Sequence, residues 1–185
     1  MSSLKVGQDV PWVTSWTGEA MLGINPCGTV GGLPALGQVE DPGRGKPQYS
    51  RNHLVRQRMS VVGMLCPMCG QPTAAGDRWT QVAKPTAAGA LKLKGVAVPP
   101  EIDPDLVLLD SGSIAPLHKN CSDRSLLHCP HLRASSDVRV LKFPTTWRVI
   151  PLHADVDQAE GPRPQVVGFL QLFGLTRTID RRWRG

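Results

Sequence analysis

The sequence predicts an α+β fold of short antiparallel strands, one short helix and many loops, and three observations predict it. Seventeen prolines and 19 glycines in 185 residues interrupt the chain too often for long regular elements. The apolar runs that remain are short, at residues 59–65, 106–109 and 166–173. Two pairs of soft ligands, Cys66-Pro67-Met68-Cys69-Gly70 and His118-Lys119-Asn120-Cys121, stand about fifty residues apart with two residues inside each pair. That spacing is a zinc-ligand spacing.

Residues 1–58 read as a loop-rich N-terminal extension. Trp12 and Trp16 lie on one side of a turn and cover core, and residues 21–50 are irregular, with Gly31-Gly32, Pro34, Pro42-Gly43 and Pro47. Cys27 lacks a partner at metal spacing and reads as a small unpaired hydrophobe. Glycines 28–32 are not a phosphate loop, because no Gly-Lys-Ser/Thr follows.

Residues 59–134 read as the zinc-binding core. The run 59–65 is a strand feeding a Cys-x-x-Cys turn that brings two thiolates to one point. Gly70 permits a positive φ after the turn, and Pro67 sets φ inside it. A redox dithiol should open a helix at once, and Gly70-Gln71-Pro72 is poor helix-opening sequence. Residues 77–82 look like the returning strand of a hairpin. Residues 84–116 form an inserted loop with Pro85, Pro99-Pro100, Pro104 and Pro116, and 106–109 inside it is either a strand or a helix segment.

The second ligand pair opens a short helix read over residues 120–128, with Asn120 or Ser122 as N-cap, Asp123 in the first turn and Pro130 limiting its length. A knuckle plus a ligand pair at a helix start is a treble-clef-like arrangement around Zn2+. Cys129 is the rival fourth ligand. On one straight helix it would lie roughly 12 Å from Cys121, whereas two ligands of one zinc sit about 4 Å apart. The favoured set is therefore Cys66, Cys69, His118 and Cys121, with Cys129 a buried thiol under the site. A helix broken before His128 would let Cys129 replace His118.

Residues 135–185 read as a C-terminal β segment packed on that core. Strands are expected at 138–143, 147–150 and 166–173, the last as the central one, with a polar loop at 155–164. There are no internal repeats.

The segment from Pro116 to Leu132, preceded by Cys66-x-x-Cys69-Gly70, resembles a group of uncharacterised bacterial and phage-encoded proteins. They carry a Cys-x-x-Cys-Gly, then His-x-x-Cys, then a Cys-Pro-aromatic/His-Leu signature. The resemblance covers roughly residues 62–134, matches at Cys66, Cys69, His118, Cys121, Cys129 and Pro130, and leaves both flanks outside. It implies zinc binding and a phage or prophage source, assigns no activity, and brings Cys129 into the pattern.

No secretory signal follows Met1, and no apolar run approaches bilayer length, so a cytoplasmic protein without a membrane partner is expected. There clustered cysteines bind metal more often than they form disulfides. Four filled coordination positions mark a structural zinc, hence a non-catalytic interaction protein with a protein or nucleic-acid partner and no small-molecule cofactor. The net charge of +6 supports an alternative reading as a nucleic-acid-binding protein. Its candidate residues are Arg51, Arg56 and Arg58, with Arg177, Arg181, Arg182, Trp183 and Arg184 near the end. A further alternative is an HNH-like nuclease using His118, Asn120 or His131, but no Asp-His pair precedes His118. The zinc deaminase signature is also missing, since no His-x-Glu occurs and Leu65 precedes Cys66.

Overall fold

A helix, Leu54–Gly63, begins inside the expected loop-rich extension and covers residues 59–63 of the run that reads as a strand. In the computed structural model, which describes residues 4–96, 98–135, 138–155 and 165–175, the first elements are β1 (Thr14–Trp16), β2 (Met21–Pro26), a 3₁₀ turn (Gly28–Val30), β3 (Pro34–Gln38), β4 (Pro47–Asn52) and α1 (Leu54–Gly63). Then follow β5 (Trp79–Thr80), β6 (Lys84–Ala87), α2 (Ala88–Leu93), β7 (Val107–Asp110), α3 (Lys119–His128), α4 (Pro130–Ala134), β8 (Leu141–Lys142), β9 (Trp147–His153) and β10 (Val167–Leu175). The class is mixed α+β, with short strands. The described residues hold four α-helices, where one was expected. The chain divides into two compact units, Met1–Pro72 with Pro151–Leu170 and Thr73–Ile150 with Gln171–Gly185.

In the first unit the segment 21–50, expected to be irregular, carries three strands. Three of its four prolines sit where strands tolerate them: Pro26 ends β2, and Pro34 and Pro47 begin β3 and β4. β2 and β3 pair antiparallel, with a register shift between Met21 and Gly23, where Gly23 takes φ +74°. Val167 of β10 pairs parallel with Ala35 of β3, and β1 pairs with β4. Trp16 is 1% exposed, as expected of a core tryptophan.

The sequence pattern hides α1 because much of its buried face is polar. Arg56, Gln57 and Arg58 are each 1% exposed, and burying such groups is costly unless most of their polar atoms find partners; here only the Nε atoms of Arg56 and Arg58 lack one. Arg56 donates to both carboxylate oxygens of Glu19 and to the Thr14 carbonyl. Gln57 exchanges two hydrogen bonds with Leu170, at 2.7 and 3.0 Å. Arg58 donates to the carbonyls of Gly168 and Leu36, each at 2.7 Å. His53 caps the helix: its Nδ1 accepts the Arg56 N–H, so Nε2 carries the proton and donates to the Val39 carbonyl at 3.0 Å.

In the second unit, residues 84–116 are not a loop. β6 and β7 form an antiparallel pair, β7 also pairs with residues 173–175 of β10, and α2 follows β6 directly. Leu106, Leu108, Leu91, Ile102, Phe173 and Leu175 belong to one buried cluster. Residues 77–82 shrink to β5, which pairs with β8 instead of the helical 59–65 run, and the strand expected at 138–143 is Leu141–Lys142 alone. The strand at 147–150 extends to His153. β10 pairs with β3 at Val167 and with β7 over residues 173–175. Of the loop expected at 155–164, residues 156–164 lie outside the described residues.

Candidate metal centre

The Cys-x-x-Cys turn is built by local backbone bonds. Leu65 and Pro72 form a bridge, the Cys66 N–H donates to the Gln71 carbonyl, and the Gly70 N–H donates back to the Cys66 carbonyl, both at 2.8 Å. Met64 leaves α1 in the left-handed region at φ +48°, turning the chain into the knuckle. The carbonyls of Pro67 and Met68 accept N–H groups from Val13 and Trp12 at 3.0 and 2.8 Å, so the turn is held from outside as well.

The second pair is fixed differently. Trp79 and Leu117 exchange two backbone hydrogen bonds, at 2.8 and 2.7 Å, which sets the residue before His118. His118 is the N-cap residue of α3, and Cys121 lies in its first turn. The cap was expected at Asn120 or Ser122. The helix starts earlier because Asp77 replaces a capping side chain: its Oδ1 accepts the Lys119 N–H at 2.9 Å and the Trp79 indole N–H at 3.0 Å. Asp123 falls beyond the first turn and pairs with Lys119 on a half-exposed surface. Gln81 anchors the helix through the Ser122 carbonyl at 2.6 Å and the Ser125 hydroxyl at 2.7 Å.

The donor atoms of Cys66, Cys69, His118 and Cys121 all lie within 4.8 Å of one another. Four donors on a zinc with Zn–S bonds near 2.3 Å would be separated by about 4 Å, so the set needs only a small contraction. His118 Nδ1 stands 4.0 Å from Cys121 Sγ, which is the separation of two ligands around one ion. None of the five cysteines is in a disulfide. Cys66 and Cys121 are buried, at 0% and 8% exposure, while Cys69 and His118 are half-buried. The donor chemistry, three thiols and an imidazole, is that of a zinc-binding site.

Cys129 lies outside this group. It joins α3 to α4, ending one helix and capping the next, and it is half-buried, not the fully buried thiol expected. Asn120 and His131 are exposed. Of the basic residues proposed to face a polyanion, Arg51 is exposed, but Arg56 and Arg58 are buried and engaged inside the protein. The expectation that these two present charge to phosphates is corrected: a guanidinium with its N–H groups spent on Glu19 and backbone carbonyls is not available to a ligand. Arg177, Arg181, Arg182, Trp183 and Arg184 lie outside the described residues. Among the described residues no helix is long and apolar enough to cross a membrane.

A Cys3His group of this kind defines a class, the proteins whose Cys/His cluster is fit to hold a metal ion, with zinc the typical choice. No protein-family model matches the chain, and no curated protein or solved structure matches it. The functional reading therefore rests on the chemistry of the cluster.

Proposed function

We propose that this chain is a zinc-binding, non-catalytic interaction protein in which one Zn2+ is held by Cys66, Cys69, His118 and Cys121. One observation carries the reading: the protein supplies four donors within 4.8 Å of one another. A catalytic zinc keeps one position for water or substrate, and a set of four protein donors leaves none. The knuckle and the ligand pair at the start of α3 make the surroundings treble-clef-like. Zinc would hold the thiolates deprotonated and couple its own binding to folding. A phage or prophage source and a cytoplasmic setting belong to the same proposal, on the strength of the resemblance and of the composition.

The partner is proposed to be a protein. The nucleic-acid reading loses Arg56 and Arg58 to internal hydrogen bonds, and the nuclease reading needs His118 for chemistry while the cluster uses it as a donor. Elemental analysis of the purified protein tests the proposal. About one zinc per chain is expected, with a cooperative loss of structure on prolonged treatment with a strong chelator. A metal-free protein that melts at the same temperature with and without added zinc would sink it.

A further inference from the structure

β2 pairs with β3 on one side and, among the described residues, with no strand on the other. All six of its residues are exposed, Met21, Leu22 and Ile24 at 56%, 58% and 42%, and Leu33, opposite Cys27, is 50% exposed. Edge strands are usually shielded by charge, lysine above all. Here no charged residue occurs from Ala20 to Val39, in a chain of net charge +6.

The ladder shows which backbone groups this edge offers. Just beyond β2 the Cys27 N–H donates to the Leu33 carbonyl at 3.1 Å, so these two residues are a hydrogen-bonded pair. Bonded and non-bonded pairs alternate along that register. Asn25 and Gly23 therefore bond to β3, and Ile24, opposite Leu36, does not. Leu36 agrees with the alternation, because its carbonyl accepts from Arg58 at 2.7 Å. The N–H and C=O of Ile24 thus face outward. Two residues to one side, Pro26 has no N–H to offer. Two residues to the other, the Leu22 carbonyl accepts from the Asn25 side chain at 3.1 Å.

We propose that β2 docks against β2 of a second copy of this chain, antiparallel about a two-fold axis at Ile24. Ile24 then pairs with its counterpart through two reciprocal N–H···O=C bonds, and Leu22 lies opposite Pro26 of the second copy. A ladder partner at that position ordinarily supplies an N–H to the Leu22 carbonyl. Proline supplies none, and Asn25 already fills the place. The cross-strand neighbours, Ile24 with Ile24 and Leu22 with Pro26, are apolar pairs. Like-charge repulsion between two basic chains is weakest where both edges are uncharged. Six-residue strands bury less than the roughly 1,600 Å² of a standard interface, so the dimer is weak, with Kd on the order of 10–100 μM. The contact is independent of the metal centre.

The test uses the full-length protein as purified, over about 20–500 μM. Sedimentation velocity reads the association, and amide NMR shifts at the same concentrations read its location. The dimer fraction should rise across the range, with concentration-dependent shifts centred on Ile24. Ile24→Lys sets like charges face to face, and Ile24→Pro removes the outward N–H without taking a bond from β3. Each should stay monomeric, with shifts outside residues 20–39 unchanged as proof of folding, whereas Ile24→Val should dimerise like the wild type. Should either variant unfold, the wild-type shift map decides alone. A wild-type chain that is monomeric at the highest concentration overturns the proposal, even if its edge takes up an unrelated extended peptide. So do dimers that survive both Ile24→Lys and Ile24→Pro, or shifts confined to residues away from β2.

Discussion

Gly70 lies against the indole of Trp12 so closely that a Cβ at this position would stand 2.9 Å from two ring carbons. The same residue takes φ +75°. Position 70 is therefore restricted twice, once by a conformation that side chains resist and once by the nearby face of the Trp12 ring.

From this relationship Gly70→Ala is predicted to destabilise the protein by about 2–3 kcal/mol and to weaken zinc retention, because the backbone bond from Gly70 to Cys66 sets the knuckle. Gly76→Ala is the matched comparison, since nothing lies within 4 Å of a Cβ there. Thermal melts of the two variants should differ clearly; equal melting temperatures would refute the geometric argument.

The ligand assignment separates two cysteines. Cys66→Ser, Cys121→Ser and His118→Ala should each lower zinc affinity by more than the roughly 10–100-fold that loss of an outer-shell partner brings. Cys129→Ser should keep one zinc per chain, because Cys129 lies outside the cluster. Competition with a chromophoric chelator reads both. Zinc lost from Cys129→Ser but kept by His118→Ala would exchange the fourth ligand.

Gln81 predicts a positioning effect. Its amide holds the Ser122 carbonyl, one residue beyond Cys121, from a site that is 7% exposed. Gln81→Leu leaves the buried Ser122 hydroxyl without its side-chain partner and should cost about 1–3 kcal/mol, with zinc released at a lower chelator concentration than from the wild type. Denaturant unfolding with zinc followed in parallel would detect both changes.

Acid should act through Glu19 and His53. Burial would raise the Glu19 carboxyl, but hydrogen bonds from Arg56 and the Trp16 N–H, with the Arg56 and His53 charges, hold it below its ordinary 4.5. Burial is the main influence holding His53 below 6.5. In both cases the unfolded chain binds protons more readily. Stability is then fully present above about pH 6.5, falls below it as unfolded His53 takes up a proton, and falls again below about 4.5 through Glu19. Urea melts from pH 8 to 4, with zinc content measured alongside, should show this two-stage decline. A flat profile between pH 7 and 5 would count against the His53 part.

Breaking the central pair is a harsher test. Glu19→Ala strands a guanidinium that is 1% exposed and should cost about 3–5 kcal/mol. A loss below about 1 kcal/mol, measured by denaturant unfolding, would mean that Arg56 finds solvent or another anion.

The ligand cluster was legible because its signal is local. Two residues between Cys66 and Cys69, and between His118 and Cys121, already fix how each pair points. α1 was not legible, since hydrophobic periodicity is blind to a helix whose inner face is Arg56, Gln57 and Arg58, and the apolar residues 59–65 mimic a strand. The strands in 21–50 were hidden by their own punctuation. Glycine and proline count against a strand when tallied, yet Pro26, Pro34 and Pro47 occupy ends where no ladder bond is lost. The α3 cap could not be read either, because Asp77 arrives there from about forty residues upstream.

The order of the donors along the chain has a consequence for biosynthesis. Cys66 and Cys69 leave the ribosome about fifty residues ahead of His118 and Cys121. At ordinary elongation rates the nascent polypeptide therefore carries half a coordination sphere for roughly 3–10 s. During that interval two thiols at one turn are open to oxidation or to capture by a softer ion, so under the proposed zinc binding the yield of metallated protein should depend on zinc supply and reducing conditions during translation, not only afterwards.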